Sequence, residues 1–174
     1  MSDKKVLIIV DMQNDYLWPD RMKKFNYNTE ELVGNVNRAI AIYKDRGYDI
    51  IYIEQIFPNI ITNKWFIGFS IDGTDGAKLY AGIDVVSDLF FIKNFPDTYT
   101  SKPFKEHMTR EGYSEVVICG LDECGCVGAT AKGASKTGVN VIMLENCIGR
   151  RFPDSKVQKM RRSLAARGVK YISI

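Results

Sequence analysis

The sequence predicts a three-layer α/β/α fold of Rossmann-like type, with a six-stranded, mostly parallel sheet and helices on both of its faces. Strand and helix patterns alternate along the chain, which is typical of parallel sheets joined by right-handed crossovers. The strands are continuous apolar runs, as expected where both faces of a sheet are covered. The 174 residues suit one domain, which we place over 1–174.

The first half of the chain contains two predicted strands, one helix and a long loop. An apolar run predicts a strand over 5–10, and a second run predicts a buried strand over 50–53. Between them, apolar residues recur at helical spacing and Gly47 follows, which predicts a helix over 29–46. The stretch 56–85 is glycine-rich and irregular, and a loop of that length in a compact domain is usually functional.

The second half continues the alternation of strands and helices. Apolar runs predict strands over 85–92, 116–119, 139–144 and 169–174. Amphipathic patterns that end at glycines predict helices over 100–111, 124–137 and 153–167. Together with the first half this gives six strands.

Composition limits the partners that we expect. A formal net charge of +3 with dispersed lysine and arginine does not indicate nucleic acid. The apolar runs are too short for a secretory leader or a membrane span, so we expect a cytoplasmic protein with a small-molecule substrate. Four cysteines in a chain of this length do not indicate a disulfide framework, so we expect free thiols.

Three reactive side chains, Asp11, Lys93 and Cys126, come directly or shortly after predicted strands. Because the carboxyl ends of parallel strands meet at one edge, where ligands bind in open α/β sheets, we expect these side chains to lie together. A carboxylate, an ammonium and a thiol at one place predict a nucleophilic hydrolase site that needs no histidine.

Each of these residues has a candidate chemical role and a structural alternative. Cys126 falls at a predicted helix start, where the dipole favours a thiolate, but it could equally be a buried packing residue. Asp11 could take the thiol proton or cap the following turn. Lys93 could pair with Asp11 or extend from its strand into solvent. Small residues around the thiol would admit a substrate: Gly125, Gly128, Ala129 and Ala131.

The remaining cysteines and the histidine do not indicate a metal site. Cys124 could form a redox pair with Cys126, but structural zinc requires four ligands. Cys119 and Cys147 are expected in the core, and His107, the single histidine, on a solvated helix surface. Since the glycines form no dinucleotide or phosphate-binding motif, we expect neither a metal nor a cofactor.

Four segments resemble the motifs of the isochorismatase-like cysteine hydrolases, a superfamily that includes nicotinamidases, N-carbamoylsarcosine amidase and ureidoacrylate-type amidohydrolases. The segments cover residues 6–16, 73–77, 91–93 and 117–131. The resemblance implies a homo-oligomeric amidohydrolase that forms a thioester on Cys126. It also implies that Asp11 moves the proton and that Lys93 holds charge.

The same resemblance implies the geometry around the nucleophile. It implies a cis peptide bond between Leu121 and Asp122, which is rare outside proline. It also implies that the N–H groups of Gly125 and Cys126 form the oxyanion hole.

Departures from the family pattern bear on the substrate. Metal-binding nicotinamidases have an aspartate and paired histidines after the second strand, whereas residues 53–57 (IEQIF) contain no histidine, which disfavours a zinc-dependent nicotinamidase. Residues 97–99 (DTY) replace the Ser-Ala-Phe of many members. Tyr16, Trp65 and Tyr99 are candidate pocket walls, although each could instead belong to the core.

The residues leave three functional hypotheses open. The first is a metal-independent cysteine hydrolase that acts on a small amide, ureide or ester. The second is hydrolysis of a vinyl ether of the isochorismatase type, which need not use the cysteine as nucleophile. The third is a non-hydrolytic redox or binding protein that uses Cys124 and Cys126.

Overall fold

The computed structural model describes residues 4–174, whose strands form one parallel sheet in the order β3-β2-β1-β4-β5-β6. The strands are β1 (Lys5–Val10), β2 (Asp49–Gln55), β3 (Phe90–Lys93), β4 (Glu115–Gly120), β5 (Asn140–Ile148) and β6 (Lys170–Ile172). This confirms the predicted fold class, and the pairing between strands is parallel throughout.

Helices cover both faces of the sheet. They are α1 (Asn14–Leu17), α2 (Thr29–Asp45), α3 (Ile61–Phe66), α4 (Lys102–Glu111), α5 (Cys126–Ser135) and α6 (Asp154–Ala165). Helix α2 packs on one face, whereas α4, α5 and α6 contribute to the core on the other face. No helix within residues 4–174 is long and apolar enough to cross a membrane.

The central strand β1 joins the two cores. Because side chains alternate along a strand, Leu7 and Ile9 face the α2 side while Val6, Ile8 and Val10 face the other side. All five of these side chains are fully buried. The strand therefore ends inside the protein, and the residue that follows it, Asp11, is held at a buried edge of the sheet.

The predicted strand over 85–92 is shorter than expected and lies at the sheet edge as β3. Of the residues before Phe90, Leu89 still accepts the Tyr52 backbone N–H at 2.9 Å, but those before it contact β2 through hydroxyl groups. The Tyr52 hydroxyl accepts the Val86 N–H at 3.0 Å, and the Ser87 hydroxyl donates to the Ile50 carbonyl at 2.5 Å. These hydroxyl contacts replace a regular backbone ladder. The loop over 56–85 likewise contains α3 and a short 3₁₀ turn.

His107 is buried, at 6% exposure, so the prediction of a solvated surface residue is wrong. Its ring packs 5.1 Å from the Phe91 ring, because this side of α4 faces the sheet edge. Arg110 donates to its Nδ1 at 2.9 Å, which places the proton on Nε2, 3.2 Å from the Tyr113 hydroxyl. That hydroxyl donates in turn to Asp49 at 2.6 Å. The contacts therefore require a neutral imidazole.

We expect His107 to make the protein less stable in acid. Burial lowers the pKa of His107 from its ordinary value of 6.5, so over the range just below about pH 6.5 the unfolded chain binds a proton before the folded chain does. The free energy of unfolding should fall as pH falls through this range, and it should fall less in His107→Gln. Urea unfolding of both proteins at several pH values measures the difference; parallel pH profiles would contradict the assignment.

Gly120 allows the ends of β1 and β4 to approach closely. It has φ +109, and a Cβ there would overlap the Val10 carbonyl oxygen. Gly120→Ala should lower the free energy of unfolding by about 2 kcal/mol or more, because the overlap adds to the backbone strain. Gly138 also has positive φ, but a Cβ there meets no atom within 4 Å. Gly138→Ala should therefore cost only about 1 kcal/mol, and equal losses in denaturant titrations would disprove the close approach.

Candidate active site

A buried ion pair occupies the sheet edge where the reactive side chains were expected. The Lys93 Nζ lies 2.9 Å from the Asp11 Oδ2, with side-chain exposures of 0% and 3%. Asp11 follows β1 and Lys93 ends β3, so the lysine side chain reaches across the end of β2. There it also donates to the Gln55 Oε1 at 2.7 Å. The structure thus brings Asp11 and Lys93 together, as the strand-end pattern predicted.

The pair stays charged because each member stabilises the other. Burial lowers the pKa of Lys93, but the Asp11 carboxylate and Cys126 outweigh that effect, so the pKa is raised overall. The Asp11 Oδ1 is buried and has no hydrogen-bond partner among residues 4–174. One oxygen of Asp11 is therefore held by Lys93, and the other is available to accept a proton.

Cys126 is the first residue of α5 and lines the same pocket as Asp11. Burial raises the pKa of the thiol, and the Asp11 carboxylate raises it further, whereas Lys93 opposes them. Burial and the neighbouring carboxylate therefore act against the thiolate that the helix start favours. A thiol beside a carboxylate with a free oxygen is an arrangement suited to general-base activation.

The turn before Cys126 supplies two free backbone donors. The peptide bond between Leu121 and Asp122 is cis, as the resemblance implied. The Gly125 N–H donates to the Asp122 carbonyl at 2.9 Å, so its predicted place in an oxyanion hole is wrong. Within residues 4–174, the N–H groups of Asp122 and Cys126 meet no acceptor. These two groups are the candidates for stabilising an oxyanion.

A pocket of about 470 Å³ opens beside Asp11 and Cys126. Its size suits a small molecule. Its aromatic lining is Tyr16, Phe25, Tyr27, Phe57, Phe69 and Phe95. Arg21 holds the loop that carries part of this wall, because its guanidinium donates to the carbonyls of Leu17, Trp18, Phe25 and Tyr27. The structure places Tyr16 in the pocket wall, where we expected it.

Two other aromatic candidates lie elsewhere, so their prediction as pocket walls is wrong. Trp65 is 82% exposed on α3, a short helix with no buried residue. Tyr99 packs edge-on against Phe104 at 5.1 Å, in the core beneath α4. A 2.8 Å hydrogen bond between the Thr98 and Thr130 hydroxyls anchors the turn that points Tyr99 away from the pocket.

Gln55 is a site residue that the sequence did not single out, since residues 53–57 drew notice only because they contain no histidine. Its side chain lines the pocket and is 3% exposed. Because the Lys93 ammonium can only donate, its contact fixes the Gln55 Oε1 toward the lysine. The Gln55 Nε2 is then buried without a partner. Its position could have indicated this role, because Gln55 ends β2, and the carboxyl end of β2 lies at the same sheet edge as Asp11 and Lys93.

The described residues do not form a metal site. Within residues 4–174, no three His, Cys, Asp or Glu side chains are grouped so that they could hold an ion. Cys119 and Cys147 are buried in the core, as predicted, and burial raises the pKa of each. Glu54, near the end of β2, accepts the Leu79 N–H at 3.0 Å, so its carboxylate anchors the loop that contains Leu79.

Comparison with known proteins agrees with this geometry. The isochorismatase domain matches residues 5–174. The chain belongs to the isochorismatase family. It is a hydrolase of that family. YrdC, an uncharacterized isochorismatase family protein of Bacillus subtilis (strain 168), is 24% identical over 151 residues, covering 84% of this chain and 74% of that protein.

Solved structures of the family share the whole fold. The pyrazinamidase of Pyrococcus horikoshii in complex with zinc superposes with a TM-score of 0.82 at 22% identity, covering 98% of this chain and 99% of the other. The N-carbamoylsarcosine amidase of Thermoplasma acidophilum superposes with a TM-score of 0.80 at 20% identity, covering 98% and 96%. At this identity the likeness establishes the fold.

We expect Asp11→Asn to make the thiol of this isochorismatase-family hydrolase less reactive. The Asp11 carboxylate is placed to take the thiol proton, and it also stabilises the charged form of the buried Lys93 ammonium against desolvation. Alkylation of Cys126 by iodoacetamide at about pH 8 should therefore become slower, since the thiolate is the species that reacts and the variant lacks the base that forms it. Peptide mass spectrometry measures the rate at each cysteine.

Asp75→Asn is the matched control, because Asp75 is exposed on a loop and pairs with Lys78. Its Cys126 alkylation rate should equal that of the parent protein. An unchanged or faster rate in Asp11→Asn would show that the carboxylate does not act as the base for the thiol.

Proposed function

We propose that the protein is a metal-independent cysteine amidohydrolase that acts on a small amide, ureide or ester through a thioester on Cys126. The observation that carries the proposal is the Cys126 thiol in one pocket with Asp11, whose carboxylate forms a buried ion pair with Lys93. The pair provides a fixed carboxylate with one free oxygen. Such a group can take the thiol proton only as the nucleophile attacks.

The first half-reaction forms the acyl-enzyme. The Cys126 Sγ attacks the substrate carbonyl carbon, and its proton moves to the Asp11 Oδ1. The carbonyl oxygen becomes an oxyanion facing the N–H groups of Asp122 and Cys126. Asp11 then gives the proton to the leaving nitrogen, the C–N bond breaks, and the acyl group stays on sulfur as a thioester. Lys93 remains protonated and holds the carboxylate in place.

The second half-reaction uses the same residues with water as nucleophile. Asp11 takes a proton from the water that attacks the thioester carbonyl. The C–S bond then breaks, the acid product leaves, and Asp11 returns the proton to the Cys126 sulfur. The enzyme is thereby restored without any net proton transfer to the Asp11–Lys93 pair.

The relatives support an amide substrate. The pyrazinamidase and the N-carbamoylsarcosine amidase, as named, both act on amide-type bonds, and both share this fold over nearly the whole chain. Gln55 adds a donor on the β2 side of the pocket, since its Nε2 has no other partner in the described chain. We assign this donor to a polar acceptor on the substrate.

The test is a panel of small amides and ureides assayed with intact-protein mass spectrometry. We expect a substrate to leave an acyl adduct on Cys126, and Cys126→Ala to lower kcat/KM by at least about 10⁴-fold. Cys124→Ala is the matched control, because it removes a thiol two positions away that lies outside the mechanism, and it should retain activity.

Other results would select the alternative functions. Vinyl-ether hydrolysis that survives in Cys126→Ala would identify the isochorismatase-type reaction and contradict the thioester route. A reversible disulfide between Cys124 and Cys126, without hydrolysis of any substrate, would identify a redox protein.

A further inference from the structure

Two cations lie close together at the mouth of the pocket. Arg151 lines it directly, and its guanidinium carbon lies 5.6 Å from the centre of the Phe25 ring and 4.2 Å from that of Phe152. The Lys24 ammonium lies 4.3 Å from the centre of the Phe69 ring and 5.1 Å from that of Phe25. The two cations therefore share one aromatic ring of the pocket wall.

Neither cation has a carboxylate partner. Within residues 4–174, no Asp or Glu oxygen lies within 4.0 Å of the charged nitrogens of Arg151 or Lys24. Nearby arginines differ, since Arg150 and Arg161 both pair with Glu123, at 3.7 and 2.7 Å. Cation–π contacts position Arg151 and Lys24 but do not neutralise them. Burial lowers the pKa of Lys24, and the neighbouring Arg151 lowers it further.

The carboxylates of the pocket are already bound. Asp11 is paired with the buried ammonium described above. The Asp122 Oδ2 accepts the Tyr27 hydroxyl at 3.2 Å and the Arg151 backbone N–H at 3.0 Å, while its Oδ1 accepts the Cys124 N–H at 3.0 Å. Burial raises the pKa of Asp122, and Arg151 opposes that rise without forming a salt bridge to the carboxylate. The pocket thus presents carboxylates bound by other donors and two cations that no salt bridge holds. This arrangement is complementary to an anion.

We infer that the substrate carries a carboxylate, which the Arg151 guanidinium binds with the assistance of Lys24. The inference rests on the proposed function and deepens it, because it places the anion beside the carbonyl that Cys126 attacks. Arg151 follows β5 and Cys126 follows β4, which are neighbouring strands. The carboxylate therefore lies on the β5 side of the reacting carbonyl, opposite Gln55 on β2. The substrate class is a small amide or ureide of a carboxylic acid.

The test compares two alkylating reagents that differ in charge. Iodoacetate carries a carboxylate and iodoacetamide does not, while both transfer a two-carbon group to a thiolate. The quantity measured is the rate of alkylation by iodoacetate divided by the rate by iodoacetamide. We expect this ratio to be about tenfold larger at Cys126 than for free 2-mercaptoethanol, because one charge-assisted hydrogen bond contributes that much or more. The ratio should fall toward the reference in Arg151→Gln and Lys24→Gln.

Controls separate specific binding from net charge and from misfolding. Lys23→Gln removes one positive charge from the next position and should keep the parent ratio. Arg151→Lys retains the charge but not the planar fork, so it should keep part of the preference. Each ratio is measured within one protein, so a variant that changes thiol reactivity alone leaves its ratio unaltered.

The outcomes distinguish the inference from the proposed function. Alkylation of Cys126 by both reagents at the reference ratio, unchanged by substitution of Arg151, would overturn the inference and leave the cysteine hydrolase intact. A Cys126 that is inert to both reagents in the folded protein would overturn both. Kinetics give a second readout: succinamic acid should be favoured over succinamide, and Arg151→Gln should raise KM for the acid more than it lowers kcat.

Discussion

The buried ion pair between Asp11 and Lys93 is the interaction on which the site depends. A lysine inside a protein is stable only if a carboxylate and other acceptors compensate its lost hydration, and here Asp11 and Gln55 do so. Because β3 is the edge strand, the Lys93 side chain must cross the end of β2 to reach Asp11. The strand order, the length of the lysine and the orientation of Gln55 therefore constrain one another.

The same pair determines the chemistry available to Cys126. With one Asp11 oxygen held by Lys93, the other faces the site without a partner, so the carboxylate is both rigid and able to accept a proton. Desolvation and the neighbouring anion both raise the pKa of the Cys126 thiol, which favours its protonated form. In the proposed mechanism the thiol therefore gives up its proton to the fixed base as it attacks, and it does not depend on a thiolate stabilised by the helix.

The pocket has a second electrostatic feature that is separate from the catalytic pair. Asp122 accepts three hydrogen bonds, whereas Arg151 and Lys24 rest on aromatic rings and form no salt bridge within the described chain. In the proposed mechanism the turn that carries Asp122 contributes backbone donors, and the loop after β5 contributes positive charge. We thus assign the reaction to the turn after β4 and the selection of the substrate to the loop after the neighbouring strand β5.

The sheet, most of its helices, and the convergence of Asp11 and Lys93 with Cys126 could all be predicted from the sequence. Apolar runs and strand-end positions carry that information, because parallel strands end at one edge. Which aromatic residues face the pocket depends on tertiary packing. Tyr16, Trp65 and Tyr99 are equivalent candidates in the sequence, but Tyr16 lines the pocket, Trp65 is exposed and Tyr99 packs in the core. Tertiary structure also decided the burial of His107, the state of the thiol, and the roles of Gln55 and Arg151. These depend on desolvation and on partners distant in the chain, which a local pattern does not contain.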